Sequence, residues 1–124
     1  MRVIIAGSRT ITDLQYVQQA AVLSHFPIRQ VVSGGARGVD KLGEEFARKA
    51  EIDLVVFKAQ WARGLRAGKD RNIEMAIYAD ALIALHDGTS TGTAHMIEQM
   101  KTRFKPTFVY YPFERPPRWV RFHC

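Results

Sequence analysis

The stretch Val31-Val-Ser-Gly-Gly-Ala-Arg-Gly-Val-Asp40 decides the fold. Two β-branched residues lead into a glycine-rich turn, and an amphipathic segment follows directly. Glycines let a backbone approach a ligand closely and adopt conformations that are closed to other residues. The N–H groups at the start of the next helix then face that ligand, and the guanidinium of Arg37 suits phosphate oxygens. The stretch predicts a strand–turn–helix junction that holds an anion, although a turn with purely structural glycines fits the same pattern.

Two further stretches carry the same chemistry. Gly7-Ser-Arg9 follows the apolar run Arg2–Ala6, and Asp87-Gly-Thr-Ser-Thr-Gly-Thr93 follows the apolar run Ala81–Leu85. The hydroxyl groups of these stretches can form neutral hydrogen bonds with a ligand, and Arg9 supplies a positive charge. The repetition of one pattern along the chain favours a shared ligand site over unrelated turns.

Short apolar runs alternate with segments of helical periodicity, and the first such segment begins with a capping box formed by Thr12 and Gln15. This alternation predicts a three-layer, Rossmann-like α/β fold, with a parallel sheet of about five strands in the order 3-2-1-4-5 and helices on both faces. The topological switch between the first and fourth strands gathers the glycine-rich loops at one edge of the sheet. The predicted strands are Arg2–Ala6, Gln30–Ser33, Asp53–Phe57, Ala81–Leu85 and Thr107–Tyr110.

Composition limits the class of protein. The 124 residues suit one domain, which we place at residues 1–111, followed by an aromatic and proline-rich extension at 112–124. The net charge of +6 favours an anionic partner, either a nucleotide or a nucleic acid. We find neither a secretion leader nor an apolar run of the roughly 20 residues that span a bilayer. The single cysteine, Cys124, cannot form an internal disulfide, so we expect a cytoplasmic protein without a membrane partner.

Four motifs in order resemble the SLOG superfamily, and within it the small YspA-like proteins. They are Val3-Ile-Ile-Ala-Gly-Ser-Arg9, Val32-Ser-Gly-Gly-Ala-Arg-Gly-Val-Asp40, Arg71-Asn-x-x-Met75 and Ala84-Leu-His-Asp-Gly-Thr-Ser-Thr-Gly-Thr93. The resemblance spans roughly residues 2–110 and implies a Rossmann-like domain that binds nucleotides or nucleotide-derived ligands. It extends more distantly to DNA-processing protein A, which binds single-stranded DNA, and to the LOG phosphoribohydrolases, which split nucleoside monophosphates.

The LOG resemblance fails at one catalytic position. The LOG motif Gly-Thr-x-x-Glu ends in a glutamate that takes part in glycosidic-bond cleavage, and here Gly92-Thr93 leads to Met96. A thioether cannot do that chemistry. Glu98 lies about 200° further round the helix, so we expect it not to face the same site. We therefore expect a binding protein, acting as a sensor or sequestering module, with a nucleotide hydrolase and a single-stranded DNA binder as the alternatives.

Several side chains keep more than one interpretation. Asp40 caps or orients the second helix, holds Arg37, or has a direct catalytic role, and Asn72 bonds either loop backbone or a ligand edge. Trp61 is a stacking platform for nucleic acid, a lid that stacks on one base, or a core residue. No metal or cofactor is predicted. The candidate ligand-binding residues are Gly7, Ser8, Arg9, Ser33, Gly34, Gly35, Ala36, Arg37, Gly38, Asp40, Asn72, Asp87, Gly88, Ser90, Gly92 and Thr93, with Trp61 as the candidate lid.

The extension carries more apolar surface than a terminal segment readily buries. Aromatic residues such as Tyr111, Phe113 and Trp119 crowd into it between prolines. Closed, symmetric assembly is the common way to cover such a patch, so we expect a homo-oligomer, either a dimer or a tetramer. The alternative is that the extension folds back over the fifth strand and covers the edge of the sheet within one chain.

Overall fold

A computed structural model describes residues 1–64 and 66–123, so that Cys124 lies outside the described residues. Within these ranges one six-stranded sheet has the order β3-β2-β1-β4-β5-β6. No helix among them is both long and apolar enough to span a bilayer. The strands are β1 (Arg2–Gly7), β2 (Gln30–Ser33), β3 (Asp53–Val56), β4 (Ala81–Leu85), β5 (Thr107–Tyr111) and β6 (Arg118–Phe122). The helices are α1 (Leu14–Ser24), α2 (Val39–Lys49), α3 (Ala67–Tyr78) and α4 (Thr91–Thr102), with a short 3₁₀ helix at Trp61–Arg63.

The central strands are buried on both faces. In β1, Ile4 pairs with Val32 of β2 and with Leu82 of β4, in parallel register on both sides. Successive side chains of a strand point to opposite faces, so Ile5 packs in the layer formed with α1 and α2, whereas Ile4 packs in the layer formed with α3 and α4. The predicted three-layer α/β fold with strand order 3-2-1-4-5 is confirmed.

A sixth strand extends the sheet beyond the predicted five. The extension turns back after its prolines and β6 pairs antiparallel with β5, with Trp119 opposite Tyr110. Arg118 lies over the ring of Tyr111 at 4.0 Å, and the guanidinium of Arg121 donates to carbonyls at the end of α1. Arg118 and Arg121 interrupt the apolar residues of β6, so hydropathy does not indicate a strand here. The predicted alternative, that the extension covers the edge of the fifth strand, is confirmed.

The start of α1 differs from the predicted capping box. Asp13, not Thr12, is the N-cap, and its carboxylate accepts a hydrogen bond from the backbone N–H of Gln15 at 2.9 Å. Either residue type can cap a helix, and the helix starts one residue later than the Thr12 pattern requires. The Thr12–Gln15 capping box is therefore wrong.

Self-association stays a prediction, and the structure sharpens its test. Phe113 and Trp119 remain 44% and 45% exposed, and Phe113 packs edge-on against Tyr16 at 5.9 Å. Removing the extension would bare the edge of β5, so a point substitution is the better probe. We expect light scattering to give about two or four times the 14.1 kDa mass of one chain, and Trp119→Ser to lower that value. Ile77→Ser, on α3, is the matched control, and a wild-type monomer mass would reject the prediction.

Candidate functional site

A cleft of about 970 Å³ opens at the carboxyl ends of the parallel strands. It lies at the switch point between the adjacent strands β1 and β4, whose following strands β2 and β5 lie on opposite sides of this pair. This is the position at which open α/β sheets bind ligands. The loops after β1, β2 and β4 form one side of it, and α3 and α4 form the other. The lining residues are Ala6, Gly7, Arg9, Thr10, Ala36, Asp40, Trp61, Gly68, Lys69, Arg71, Asn72, Met75, Asp87, Thr89, Ser90, Thr91, Gly92, Thr93, Ala94, His95, Met96 and Glu98.

The loop after β1 is joined directly to the loop after β4. A Cβ at Gly7 would lie 2.1 Å from the carbonyl oxygen of Leu85, so only glycine allows the two strand ends to come this close. The backbone N–H of Ser8 donates to that same carbonyl, and the Ser8 hydroxyl accepts from the N–H of Asp87 at 3.0 Å. Ser8 is buried. It therefore holds the two loops together from behind the cleft.

The loop after β2 packs against the loop after β1. Gly38 has a φ of +76°, and a Cβ there would lie 2.6 Å from the Cα of Arg9. Ser33 is fully buried, and its hydroxyl donates to Glu44 at 2.8 Å while accepting from the N–H of Gly35. The hydroxyl of Ser33 shapes the turn from inside and does not face the cleft.

The carboxylate of Asp87 organises the loop that leads into α4. It accepts hydrogen bonds from the backbone N–H groups of Thr89 and Ser90, at 2.9 and 3.0 Å, and from the hydroxyl of Thr10. These bonds, led by that from Thr89, hold the pKa of Asp87 well below its usual range. Ser90 then caps α4 by accepting from the N–H of Thr93. The loop is built so that the N-terminus of α4 lies on the cleft wall.

Arg71 and Asn72 connect α3 to the other walls of the cleft. Arg71 Nη1 donates to the carbonyl of Gly34 at 2.9 Å, and its Nη2 lies 3.5 Å from the side-chain oxygen of Asn72. Asn72 Nδ2 lies 3.1 Å from Nδ1 of His95 on α4 and 3.5 Å from the carbonyl of Gly92. Both partners of Asn72 Nδ2 belong to α4, so the interpretation of a bond to loop backbone is wrong, and Asn72 also lines the cleft.

Two titratable groups of the cleft have shifted pKa values. Burial raises the pKa of Asp40 to about 6, against the opposing effects of the Ala36 N–H bond and the charge of Arg71. Burial, together with the charge of Lys69, lowers the pKa of His95, which favours a neutral imidazole at pH 7. The cleft can therefore present both a neutral ring and a carboxyl group that titrates near neutrality.

The structure brings together most of the candidate ligand-binding residues. Those that line the cleft are Gly7, Arg9, Ala36, Asp40, Asn72, Asp87, Ser90, Gly92 and Thr93, together with the candidate lid Trp61. Ser8 and Ser33 lie behind the wall, and Gly34, Gly35, Gly38 and Gly88 shape its loops. The exposed side chain of Arg37 is not part of the lining, and Arg9, Lys69 and Arg71 supply the positive charge instead.

Sequence reasoning missed the contribution of the two helices. Arg71 was quoted in a motif but not assigned to the site, although Gly68, Arg71 and Met75 have the spacing of one helical face. The expectation that Glu98 faces away is wrong, because the cleft runs along α4 and takes in both the buried Met96 and the exposed Glu98.

The described residues hold no group of three or more His, Cys, Asp or Glu side chains placed to bind a metal ion. The ring nitrogen Nδ1 of His86 accepts from the N–H of Gly88 at 3.0 Å, and the ring stacks on Tyr111. His86 supports the turn that precedes α4.

Comparison with known proteins identifies the family of this chain. The model of the YspA, cpYpsA-related SLOG family (YAcAr) matches residues 1–64, just over half of the chain. The chain is also 36% identical over 108 residues to the Gene 61 protein of Mycobacterium phage D29, an alignment that covers 79% of this chain and 86% of that protein. The chain therefore belongs to the YspA, cpYpsA-related SLOG family.

Proposed function

We propose that the protein binds a nucleotide or a nucleotide-derived ligand in this cleft, as a sensor or sequestering module. The observation that carries the proposal is the convergence of Arg9, Arg71 and the N-terminus of α4 on one cleft at the switch point of the sheet. Family membership supports a nucleotide-related role. Phosphate and ribose are the parts of the ligand that these groups suit.

The phosphate end of the ligand is assigned to α4. The first N–H groups of a helix have no partner within the helix. The hydroxyl of Ser90 accepts a hydrogen bond from the N–H of Thr93. The first two residues of α4, Thr91 and Gly92, lie on the cleft wall. A Cβ at Gly92 would meet nothing within 4 Å, so this part of the wall is open. An anion can approach the backbone of α4 closely here, and Arg9 and Arg71 line the same cleft.

The base is assigned to Trp61. The indole is 62% exposed and lines the cleft, and a Cβ at Gly68 would lie 3.5 Å from it. Its exposure favours the lid interpretation over the core interpretation, because a core residue would be covered. A base stacked on this ring gains about 1–3 kcal/mol. A cleft of about 970 Å³ is at the upper end of the volumes that hold small molecules, so it has room for both ends of such a ligand.

Calorimetric titration with mono-, di-, cyclic and dinucleotides tests the proposal. We expect at least one of these to bind and to raise Tm. Gly92→Ala is the sharpest variant, because the added methyl group lies in open space and alanine favours a helix, so Tm should not fall. The same methyl group should lower affinity about tenfold or more, since it holds the phosphate away from the α4 backbone. Unchanged affinity would show that the phosphate binds elsewhere.

Nucleotide hydrolysis is the second candidate, and the observation that favours it is the position of Glu98 in the cleft lining. We expect chromatography of nucleotides incubated with the protein to show no free base. Turnover that Glu98→Ala abolishes would establish the enzyme instead.

Binding of single-stranded DNA would show affinity that grows with strand length and falls steeply with added salt.

A further inference from the structure

The carboxyl group of Asp40 is buried but forms part of the cleft wall. Asp40 is 5% exposed and lies in the first turn of α2, where a negative charge complements the helix dipole. One oxygen, Oδ2, accepts from the N–H of Ala36 at 3.1 Å and so holds the loop after β2. Asp40 therefore makes a structural bond through its carboxyl group and also lines the cleft.

Arg71 faces Asp40 across a residue that has no side chain. A Cβ placed on Gly34 would lie 2.8 Å from Oδ2 of Asp40 and 3.1 Å from Nε of Arg71. Nη1 of Arg71 donates to the carbonyl of Gly34, but its Nε is buried without a hydrogen-bond partner. Arg71 is thus a cation that the protein only partly satisfies, and Asp40 is the anion beside it.

Burial makes this arrangement cost free energy for both Arg71 and Asp40. A buried donor without a partner costs free energy, and the negative charge of Asp40 offsets part of that cost for Arg71. The same burial disfavours the charged carboxylate and raises the pKa of Asp40 to about 6. An anion that arrives at Arg71 supplies the countercharge itself and repels the charge on Asp40.

We propose that Asp40 is the internal counter-ion of Arg71, and that an anionic group of the ligand replaces it while Asp40 takes up one proton from solvent. The inference rests on the proposed function, since it concerns the same cleft, and it names both the group that the ligand presents to Arg71 and the regulation of binding. Asp40 acts here as a positioning residue. Anion binding is therefore tighter at lower pH.

Other charged groups near Asp40 bear on this dependence. Glu44 and Lys41 lie beside it on α2, with the charge of Glu44 raising and that of Lys41 lowering its pKa. His95 also lies in the cleft lining, where burial, together with the charge of Lys69, lowers its pKa. The remaining charged residues of the cleft lining are Arg9, Lys69, Asp87 and Glu98.

Titration with sulfate tests the coupling, because this anion keeps both of its charges throughout the pH range used. We follow backbone amide resonances of Gly34, Ala36 and Gly92 by NMR at pH 7.5 and pH 6.5. For the wild type we expect the association constant to rise about fivefold to eightfold across this interval, the dependence of nearly one proton taken up by a carboxyl group with a pKa of about 6 in the free protein. For Asp40→Asn we expect an increase below about twofold, with affinity at pH 7.5 at least that of the wild type at pH 6.5.

The control is Asp53→Asn, which removes one negative charge at the start of β3, outside the cleft lining. It should keep the pH dependence of the wild type. If Asp40→Asn also keeps that dependence, another group takes up the proton and the proposal is overturned. Binding of nucleotides without proton uptake would overturn only this inference, whereas failure of both nucleotides and sulfate to bind would overturn the proposed function as well.

A second measurement needs no variant and so does not depend on the folding of Asp40→Asn. Neutralised sodium sulfate is added to lightly buffered wild-type protein at pH 7, with a protein-free solution as reference. We expect the pH to rise because the protein takes up close to one proton for each anion bound. A pH change equal to that of the reference, at sulfate concentrations that shift the cleft resonances, would contradict the proposal.

Discussion

Replacing Gly38 with alanine is expected to lower the free energy of unfolding by about 3 kcal/mol, or roughly 10 °C in Tm. Two effects add at this position. The φ of +76° is strained for any residue with a Cβ, and that Cβ would lie 2.6 Å from the Cα of Arg9 and 2.8 Å from the carbonyl of Ser8. Relief of the overlap moves the loop after β2 away from the loop after β1. Ligand affinity should therefore fall together with stability.

The matched control for Gly38→Ala is Gly64→Ala. Gly64 has a φ of +89°, but a Cβ there would meet nothing within 4 Å, so this variant carries the backbone strain alone. We expect it to cost about 1 kcal/mol. Thermal unfolding of both variants, with calorimetric titration of the ligand, separates strain from overlap. Equal losses of stability would contradict a close packing of the two loops.

The second large effect is expected for Asp87→Ala. This change removes the acceptor of the Thr89 and Ser90 N–H groups and of the Thr10 hydroxyl, and it leaves those donors to water. We expect a loss of about 2–3 kcal/mol in the free energy of unfolding and a clear loss of affinity, because the start of α4 is no longer held on the cleft wall. Asp13→Ala, which removes the cap of α1, should cost about 1 kcal/mol without affecting affinity.

The pH dependence of stability checks the same role. The pKa of Asp87 in the folded protein is lowered, so its contribution is complete above its ordinary value of 3.8 and is lost as the pH falls below it. The free energy of unfolding of the wild type should therefore exceed that of Asp87→Ala by less in acid than at neutral pH. Asp40 has the opposite sign: its pKa is raised, so its carboxyl group costs stability as the pH rises from its ordinary value of 3.8 to about 6, above which this dependence levels off. A constant difference between wild type and Asp87→Ala from pH 7 to pH 3 would contradict the role of Asp87.

The parallel core of the fold was predictable because its signals are local. The runs that contain Ile4, Val32 and Leu82 are apolar without alternation, as strands covered on both faces must be, and glycine-rich turns follow each of them. The antiparallel strand β6 was not predicted as a strand. Its pairing with β5 is set by contacts between distant residues, and its arginines break the apolar pattern.

The sequence predicted which loops form the site, but not which cations line it. Arg37 lies in the right loop, but the turn directs it away from the cleft wall. Arg71 reaches the wall from α3, and sequence spacing cannot show how that helix lies against the loop at Gly34. Local chemistry therefore located the backbone of the cleft, whereas the choice of cation depends on the packing of a helix against a loop distant in sequence.

The contacts that join the loops also affect how the cleft moves. Ser8 bonds the loop of Asp87, and Gly38 packs on Arg9, so none of the three loops can open without disturbing another. Such segments open as one cooperative unit. Hydrogen exchange at the amides of Ala36, Asp87 and Thr89 should therefore slow in concert when a ligand binds, even at an amide that the ligand does not touch.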